Sequence, residues 1–409
     1  MKLAYLAPEI PALSATFVYN EILALNELGH EVIPFSVHKP IMPATDQHLE
    51  QLSSKVIYLY ATSKKKVFFS HLRLLTKKPT HYIKALGECV KDMFNVSILS
   101  RDARGLFYRF FYAARLAQEL EENAIQHLHV HFAHVPTDIA MYASMLSGIS
   151  FSVTAHANDI FERGLLLDKK VERSSFFATI SDFNLQYIQQ TYQVDPDKLE
   201  IIRCGVDSRV FTRKSSIALS SPVRIGVVGR LVEKKGIDTL ISALAILKIQ
   251  FSDFIVEIAG SGPLEEELKQ QVTQLDLNDN VVFLGPLPHD QVVKFVRELD
   301  LFVLPCKKDK QGDMDGIPVV LMEAMMVGTA VISSRISGIP ELVIDEETGK
   351  LIEPGNSEQL AGAILELIKD EALRGVLINH AEKKVQQEFS QDINAKRLET
   401  LFAESIGNL

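Results

Sequence analysis

The chain of 409 residues has no tryptophan and only three cysteines, Cys89, Cys204 and Cys306, which match no metal-binding spacing. This scarcity excludes a disulfide framework and predicts reduced thiols. No apolar run approaches the roughly 18 residues of a membrane span. The apolar N-terminal run is broken at Pro8 and Glu9, too early for a signal peptide. These absences predict a cytoplasmic protein.

Glycine is missing between Ala7 and Ala15, directly after the first predicted strand. Dinucleotide-binding folds carry their glycine-rich fingerprint at this place, because the backbone there approaches the pyrophosphate. The absence argues against a dinucleotide oxidoreductase.

Charge is unevenly distributed along the chain. The segment Lys64–Arg115 contains twelve basic residues and three acidic ones, which gives it +9 in a chain of net charge −9. Phenylalanines, tyrosines and leucines are interleaved with these cations. The combination favours an anionic membrane surface, while helices that bury an aromatic stripe and solvate their lysines are an equal alternative. Nucleic acid is not an expected partner.

Short β-branched runs alternate with helical patterns, which is typical of parallel α/β sheets. Predicted strands are 2–7, 31–36, 127–132, 150–155, 176–180, 199–202, 223–228, 254–259, 281–284, 301–304 and 330–333. We expect a first domain at 1–211, a serine-rich linker at 212–222 and a second domain at 223–389. Both domains would be Rossmann-like and doubly wound, facing each other across a cleft. The last helical stretch, within 390–409, would cross back to the first domain.

The segment Asp315–Met325 places two carboxylates on either side of a predicted helix start. Pro318 suits the first helical position, where its missing N–H costs no hydrogen bond. Asp315 then lies on the loop before the helix, and Glu323 one to two turns inside it. The helix N-terminus favours an anion, and a carboxylate can accept hydrogen bonds from two ribose hydroxyls. The pattern suits a nucleotide-sugar, and an ordinary amphipathic helix with a surface glutamate is the alternative.

Two further loops follow predicted strands of the second half. Arg230 and Lys235 lie between a strand and a helix, where they could clamp a pyrophosphate; a solvated loop is the alternative. Gly260 and Gly262 follow the next strand and would let the backbone approach a ligand closely. A single Gly-x-Gly is weak evidence by itself.

His156 follows the predicted strand at 150–155, where a polar side chain would reach a ligand. A neutral imidazole there could bind a sugar hydroxyl or a phosphate, or be structural. His127, His129, His131 and His134 suggest a metal site, because alternate strand residues share a face. No cysteine or carboxylate stands near them in the sequence, so we expect no metal.

Together these motifs resemble the retaining nucleotide-sugar glycosyltransferases of family 4, which have the GT-B fold, and best the members that build bacterial exopolysaccharides. The similarity covers almost the whole chain, with motif order and spacing kept. The first half contributes Pro11–Val18 with Glu21, Gly29–Val32, His129–Ala133, Thr154–Phe161, Ile180–Asn184 and Cys204–Asp207. The second half contributes Gly229–Leu231, Lys235-Gly236, Gly260–Leu264, Gly316–Met325 and Ser337–Leu342.

The resemblance implies that Arg230 and Lys235 bind the donor diphosphate, Glu323 the ribose and His156 the transferred sugar. Asp315 takes the first acidic position of the family's paired-glutamate motif. The implied catalytic residues are His156, Asp315, Arg230 and Lys235. The implied donor-binding residues are Ser14, Thr16, Gly229, Arg230, Lys235, Gly260, Gly262, Leu287, Asp315, Gly316, Ile317, Pro318, Val319 and Glu323.

The chain departs from the family pattern at three places. Asp315 is one methylene shorter than the commoner glutamate, and Ala15 stands where relatives often carry glutamate. Both changes bear on which sugar is held. Arg203-Cys204 replaces the usual Pro-Asn at the expected domain junction.

The sequence therefore predicts a retaining, metal-independent transferase without a cofactor. It would move a sugar from a nucleoside-diphosphate donor to a hydroxyl of a lipid-linked saccharide in polysaccharide synthesis. The alternatives are a sugar-nucleotide epimerase of the same fold and a non-catalytic saccharide-binding subunit. The predicted location is cytoplasmic, with peripheral attachment to the inner face of the membrane through Lys64–Arg115. Sugar, base, linkage and oligomeric state stay open.

Overall fold

A computed structural model describes residues 1–12, 15–40, 53–214 and 216–407. The chain forms two compact units. The first consists of Met1–Ile180, Asn184–Ile202 and the chain from Ala395 onward, and the second of Ser181–Phe183 and Arg203–Asn394. The change from the first unit to the second thus follows Ile202, whereas the sequence placed the linker at 212–222.

The first unit is built on a seven-stranded parallel sheet. Its strands are β1 (Lys2–Glu9), β2 (Glu31–His38), β3 (Ile57–Tyr58), β4 (His127–His131), β5 (Ser150–Ala155), β6 (Phe177–Thr179) and β7 (Leu199–Ile201). They lie in the order β3-β2-β1-β4-β5-β6-β7. Strand order reverses between β1 and β4, and doubly wound sheets bind ligands at such a point, beyond the carboxyl ends of the strands.

Helices cover both faces of this sheet, as right-handed crossovers between parallel strands require. They are α1 (Thr16–Glu27), α2 (Lys64–Lys77), α3 (Pro79–Asn95), α4 (Arg101–Glu122), α5 (Val135–Ser147), α6 (Asn158–Phe161), α7 (Leu167–Arg173) and α8 (Asp182–Thr191). Within the described ranges, none of the chain's helices combines the length and hydropathy that a membrane span requires.

The second unit has a six-stranded parallel sheet of the same winding. Its strands are β8 (Val223–Val228), β9 (Phe254–Ala259), β10 (Val281–Gly285), β11 (Leu301–Leu304), β12 (Ala330–Ser334) and β13 (Lys350–Ile352). Their order is β10-β9-β8-β11-β12-β13, which reverses between β8 and β11. All four residues of β11 are buried, as expected for a central parallel strand covered on both faces.

The remaining helices belong to the second half of the chain. They are α9 (Ile237–Gln250), α10 (Glu265–Gln274), α11 (His289–Glu298), α12 (Val319–Met326), α13 (Ile339–Leu342), α14 (Ser357–Lys369), α15 (Glu371–Glu388) and α16 (Gln391–Gly407). From Ala395 onward α16 belongs to the first unit, where Leu398 and Phe402 join the core around Leu3 and Tyr5. The predicted return of the last helix to the first domain is confirmed.

The predicted strands agree with the structure apart from differences at their ends, and two further short strands are present. β3 and β13 were not predicted, because two or three residues show no alternation of polar and apolar side chains. Pro318 was predicted to start a helix, but α12 begins at Val319. Pro318 is its N-cap, with the extended backbone (φ −64°, ψ 123°) that is common at this position.

Candidate functional site

Two loops of the second unit pack on each other at the carboxyl ends of β8 and β9. The first contains Gly229 and Leu231, and the second contains Gly260 and Gly262. A Cβ on Gly260, whose φ is +143°, would lie 1.8 Å from the Gly229 carbonyl oxygen, and one on Gly262 would lie 2.4 Å from that of Leu231. The close approach that requires these glycines is therefore between the two loops.

Lys235 lies against the first loop and points to the loop that follows β11. Its Nζ is 2.6 Å from Asp315 Oδ2, and a Cβ on Gly229 would contact its methylenes at 3.4 Å. Lys234 Nζ is 3.4 Å from the other Asp315 oxygen and 2.8 Å from Asp313 Oδ2. The two loops beside the strand-order reversal are thus joined by a cluster of two lysines and two aspartates.

Electrostatics keeps Asp315 and Lys235 charged although burial opposes both charges. Burial disfavours the charged carboxylate of Asp315, but Lys235 and Lys234 lower its pKa below the ordinary value. Burial likewise opposes the charge of Lys235, and Asp315 raises the pKa of the ammonium. Burial raises the pKa of the neighbouring Cys306, whose thiol lies 3.6 Å from Asp315, so it is an unreactive thiol.

Arg230 differs from its neighbours in being exposed. No ion pair or hydrogen bond of its guanidinium is recorded in the part of the chain that the structure describes. It stands two residues beyond the end of β8, at the carboxyl edge of the sheet. A guanidinium in this position has its five donors available for an anion.

Helix α12 follows the aspartate-containing loop. No side chain caps its N-terminus, and no acidic residue lies in its first turn. Glu323 lies on its second turn and is only 5% exposed. Its carboxyl has no recorded partner among the described residues, and burial raises its pKa to about 7. The helix therefore has an uncapped positive end and, close to it, a buried carboxyl without a partner.

The other predicted donor-binding residues of this unit lie in the same loops. Gly316, Ile317 and Pro318 are buried between Asp315 and the start of α12, and Val319 opens the helix half-buried. Leu287 is partly buried against the core of the second unit, after β10.

In the first unit, the predicted residues lie around the ring of His156. This residue follows β5 and is 7% exposed, and its backbone N–H donates to Asp159 Oδ1 at 2.9 Å. The rings of Phe17 and Phe132 lie 4.5 and 4.6 Å from the imidazole, centroid to centroid. Thr16 is the first residue of α1 and precedes Phe17 in the chain. Ser14 lies outside the described residues.

The imidazole of His156 is enclosed by other histidines. Burial lowers its pKa well below the ordinary value, and the nearby His131 and His134 lower it further. It is therefore a neutral group near pH 7. His134 has a local role, since its Nδ1 accepts from the Val135 N–H at the start of α5.

A carboxylate that is distant in the sequence accompanies the histidines in the structure. Glu21 Oε1, from α1, lies 3.0 Å from His131 Nε2 and 3.8 Å from His129 Nε2, close enough for these three residues to be considered as metal ligands. However, both ring nitrogens of His129 already lie within 3.0 Å of hydroxyls, those of Ser152 and Thr154. The arrangement suits a hydrogen-bonded chain better than a metal centre.

Comparison with known proteins identifies the family. The model described as "Glycosyltransferase Family 4" matches residues 14–210, and "Glycosyl transferases group 1" matches 209–384. The amylovoran biosynthesis glycosyltransferase AmsK of Erwinia amylovora is 31% identical over 97% of this chain and 98% of its own. The chain belongs to glycosyltransferase family 4. A putative colanic acid biosynthesis glycosyltransferase, WcaL of Salmonella typhimurium, is 30% identical over 98% and 99% of the two chains.

Solved structures show the same fold for this family 4 glycosyltransferase. A glycosyltransferase from Rickettsia africae aligns over 100% of both chains, with a TM-score of 0.73 and 17% identity. Anabaena Alr3699/HepE in complex with UDP also aligns over 100% of both chains, with a TM-score of 0.73 and 18% identity. The predicted GT-B fold of two Rossmann-like domains is confirmed.

The structure thus brings together two groups of the predicted residues, one in each unit. Sequence reasoning did not find Lys234, which shares Asp315 with Lys235, or the link from Glu21 through His131 to His156. The first could have been suspected from the adjacent lysines. The second joins residues 110 positions apart, and no local pattern reveals such a contact.

Proposed function

We propose that this glycosyltransferase transfers a sugar, with retention of configuration, from a nucleoside-diphosphate sugar to a hydroxyl of a lipid-linked saccharide in exopolysaccharide synthesis. The donor would be held by the second unit, at the carboxyl edge where its strand order reverses. Anabaena HepE has been solved with UDP-glucose, which supports a nucleotide-sugar as the donor class.

The buried, unpartnered carboxyl of Glu323 carries this proposal. An isolated buried carboxyl destabilises a protein, so its retention suggests a ligand that supplies the missing hydrogen bonds. The two vicinal hydroxyls of a ribose are suitable donors, and the uncapped N-terminus of α12 lies one to two turns away for a phosphate. A nucleotide provides both groups.

The charged cluster suits the departure of a diphosphate. Arg230 offers an exposed guanidinium, and Lys235 an ammonium that Asp315 keeps charged and in place. We propose that the bond from the anomeric carbon to the diphosphate breaks while the acceptor oxygen attacks the same face. The acceptor's proton would pass to a diphosphate oxygen, and the cations would stabilise the leaving charge.

The same cluster supports transfer without a divalent ion. Asp313 and Asp315 form an Asp-x-Asp sequence, a pattern that could hold a metal. Their carboxylates are instead paired with Lys234 and Lys235 at 2.6 to 3.4 Å. Ammonium groups thus occupy the places next to both carboxylates, and with Arg230 they would supply the positive charge that a metal supplies elsewhere.

The class of polysaccharide that we propose is based on the relatives. AmsK is described as an amylovoran biosynthesis enzyme and WcaL as a putative colanic acid biosynthesis enzyme. Both align with nearly the whole of this chain, so the acceptor-binding first unit is included in the match. We therefore propose a saccharide acceptor of the same class, with 1–211 as the acceptor-binding part and 223–389 as the donor-binding part.

We further propose that the basic region Lys64–Arg115 holds the first unit at an anionic membrane surface. Large apolar side chains of this region are more than half exposed, namely Phe68, Phe69, Ile83, Phe94, Leu99 and Phe107. Lys64, Lys65 and Lys66 are exposed on the same helix as two of these phenylalanines. Exposed apolar groups next to cations match a surface of anionic headgroups above acyl chains.

Part of the basic region is structural. Phe110 and Tyr112 are 3% exposed and belong to the interior of the first unit, as the alternative interpretation expected. In the described chain, five of the twelve cations have a carboxylate partner, namely Arg73, Lys78, Lys91, Arg109 and Arg115. A membrane test must therefore use cations outside this set.

A panel of nucleotide-sugars, screened by thermal shift and then by a transfer assay, tests the function. A true donor at one hundred times its Kd should stabilise the protein by about 2.7 kcal/mol, because it binds only the folded state. Conversion of the donor to an epimer without acceptor would favour the epimerase. If no nucleotide-sugar binds, the chain is a non-catalytic saccharide-binding subunit and the proposal is wrong.

A further inference from the structure

A strip of buried histidines runs along β4 in the first unit. His127, His129 and His131 occupy alternate positions and are each at most 1% exposed. They lie beside the hydroxyls of the neighbouring strand β5, because the strand register pairs each histidine with a serine or threonine, namely Ser150, Ser152 and Thr154. The first two histidines bind these hydroxyls through both ring nitrogens, at 2.7 to 3.0 Å.

The third histidine has different partners. His131 Nε2 lies 3.0 Å from Glu21 Oε1, and its Nδ1 lies 3.3 Å from His156 Nε2. The hydroxyl of the fully buried Tyr5 donates to the same Glu21 oxygen at 2.7 Å. His131 thus connects a carboxylate on α1 to the imidazole that follows β5.

These contacts determine which nitrogens carry protons. A carboxylate oxygen only accepts hydrogen bonds, so Glu21 Oε1 accepts both from Tyr5 and from His131, which must place a proton on Nε2. In a neutral His131 the remaining Nδ1 is then an acceptor, so His156 must donate to it from Nε2. A neutral His156 with its proton on Nε2 keeps a lone pair on Nδ1.

We infer that Glu21, acting through His131, fixes His156 as the Nε2–H tautomer and so makes its Nδ1 a hydrogen-bond acceptor. Glu21 and His131 are positioning residues in this scheme. The tilted rings of Phe17 and Phe132 pack against the imidazole, and Asp159 holds the backbone N–H of His156. No partner of His156 Nδ1 is recorded among the described residues, so this nitrogen is available to a ligand.

The consequence for the substrate rests on the proposed function. If His156 contacts the transferred sugar, it accepts a hydrogen bond from one of the sugar's hydroxyls and does not donate one. The donor must therefore carry a hydroxyl at that place. A deoxy or fluoro sugar, which cannot donate there, would be a poor substrate, although its nucleotide part binds normally.

The tautomer can be measured in the free protein by ¹⁵N NMR with labelled histidine, the His156 signals being assigned with the variant His156→Gln. The expected spectrum shows a protonated Nε2 and an unprotonated Nδ1 near pH 7. A protonated Nδ1, or a doubly protonated ring, would overturn the inference. No donor is involved, so this result is independent of the proposed function.

Three substitutions test the part played by Glu21. Glu21→Gln keeps an oxygen at the Oε1 position and should keep both the tautomer and the transfer rate. In Glu21→Met the methionine side chain has a similar length but offers no oxygen acceptor. The His131 N–H is then left unpaired, and we expect a mixture of His156 tautomers. Tyr5→Phe removes the other hydrogen bond to Glu21 and serves as the control, with an unchanged tautomer.

Transfer by the methionine variant should fall on the order of tenfold, the value of one hydrogen bond, and the glutamine variant should restore it. If Glu21→Met fails to fold, Glu21→Asp shortens the reach to His131 and should also mix the tautomers. An unchanged His156 tautomer in the folded variants would refute the positioning role. A changed tautomer with an unchanged rate would leave the link in place and exclude His156 from sugar recognition.

Discussion

The substitution Glu323→Gln should make the free protein more stable and its donor binding weaker. Glu323 is 5% exposed on the second turn of α12, without a recorded partner in the described chain. Burial alone raises the pKa of its carboxyl from 4.5 to about 7. The folded protein thus resists ionisation of this group, and the amide has no charge to bury.

The magnitude follows from the difference in pKa between the folded and unfolded states. A rise from 4.5 to about 7 corresponds, at about 1.4 kcal/mol per unit, to about 3 kcal/mol. Since the folded pKa is the higher one, the penalty is absent below about pH 4.5, grows as the pH rises and is complete above about pH 7. The glutamine variant should therefore match the wild type at pH 4.5 and gain up to about 3 kcal/mol at pH 8.

Binding should change in the opposite direction. A carboxylate that accepts hydrogen bonds from two ribose hydroxyls is a stronger acceptor than an amide, and a hydrogen bond to a charged group contributes about 1.5 to 3 kcal/mol. We expect the Kd of the nucleotide donor to rise about tenfold to one hundredfold in Glu323→Gln. In the wild type, donor binding should release protons near pH 7, because the ribose hydroxyls favour the charged form.

Denaturant unfolding of the full chain between pH 4.5 and 8.5 measures the first effect, and calorimetry with the donor measures the second. Glu347→Gln is the matched control, an exposed carboxylate in the same unit that should change neither. Equal stability of Glu323→Gln and wild type at pH 8 would show that the buried carboxylate carries no penalty. Added stability with unchanged donor affinity would show that Glu323 is not a ribose ligand.

Three further outcomes are expected. Arg230→Ala should slow transfer on the order of one hundredfold without loss of stability, since the guanidinium of Arg230 is exposed. The control is Arg335→Ala, which removes an exposed arginine of the same unit that is paired with Asp345 and should transfer normally. Normal transfer by Arg230→Ala would rule out a role of Arg230 at the diphosphate. Transfer should persist in EDTA, and a complete loss that magnesium or manganese restores would show that a metal is required. Neutralising Lys64, Lys65, Lys66 and Lys77 together should weaken salt-sensitive binding to anionic vesicles, since each contributes about 1 kcal/mol, while donor binding is kept. Wild-type protein that ignores such vesicles at low salt would refute the membrane proposal.

Sequence reasoning predicted the architecture well because its signals are local. The strands β8, β9 and β11 are short, mostly apolar runs bounded by proline, glycine or aspartate, and their bounds were predicted to the residue. The order of motifs along the chain then indicated two Rossmann-like halves. Helix α12 was displaced by one residue, since the sequence does not distinguish a proline at the N-cap from one at the first helical position.

The partners within the candidate site could not be predicted in the same way. Lys235 and Asp315 were each assigned to the donor, and the structure shows that they bind one another at 2.6 Å. Glu21 was noted only as part of a motif, and its contact with His131 depends on packing α1 against β4. Such pairings are tertiary, and a residue's type and neighbours in the sequence leave them undetermined.

The pairing of Lys235 with Asp315 changes how the charged cluster would act on a diphosphate. Two lysines and two aspartates pair with each other, so in the free protein this cluster leaves its positive charge largely neutralised, whereas Arg230 and the N-terminal end of α12 have no recorded carboxylate partner among the described residues. Loss of Lys235 alone would leave Asp315 largely buried with its nearest counter-charge gone, and breaking a buried pair costs about 3 kcal/mol or more. A slow Lys235→Ala variant is therefore ambiguous. The double variant Lys235→Ala with Asp315→Asn removes the unpaired carboxylate and is compared with Asp315→Asn alone. Slower transfer in the double variant would be due to the missing ammonium, and equal transfer would show that Lys235 serves mainly to neutralise Asp315.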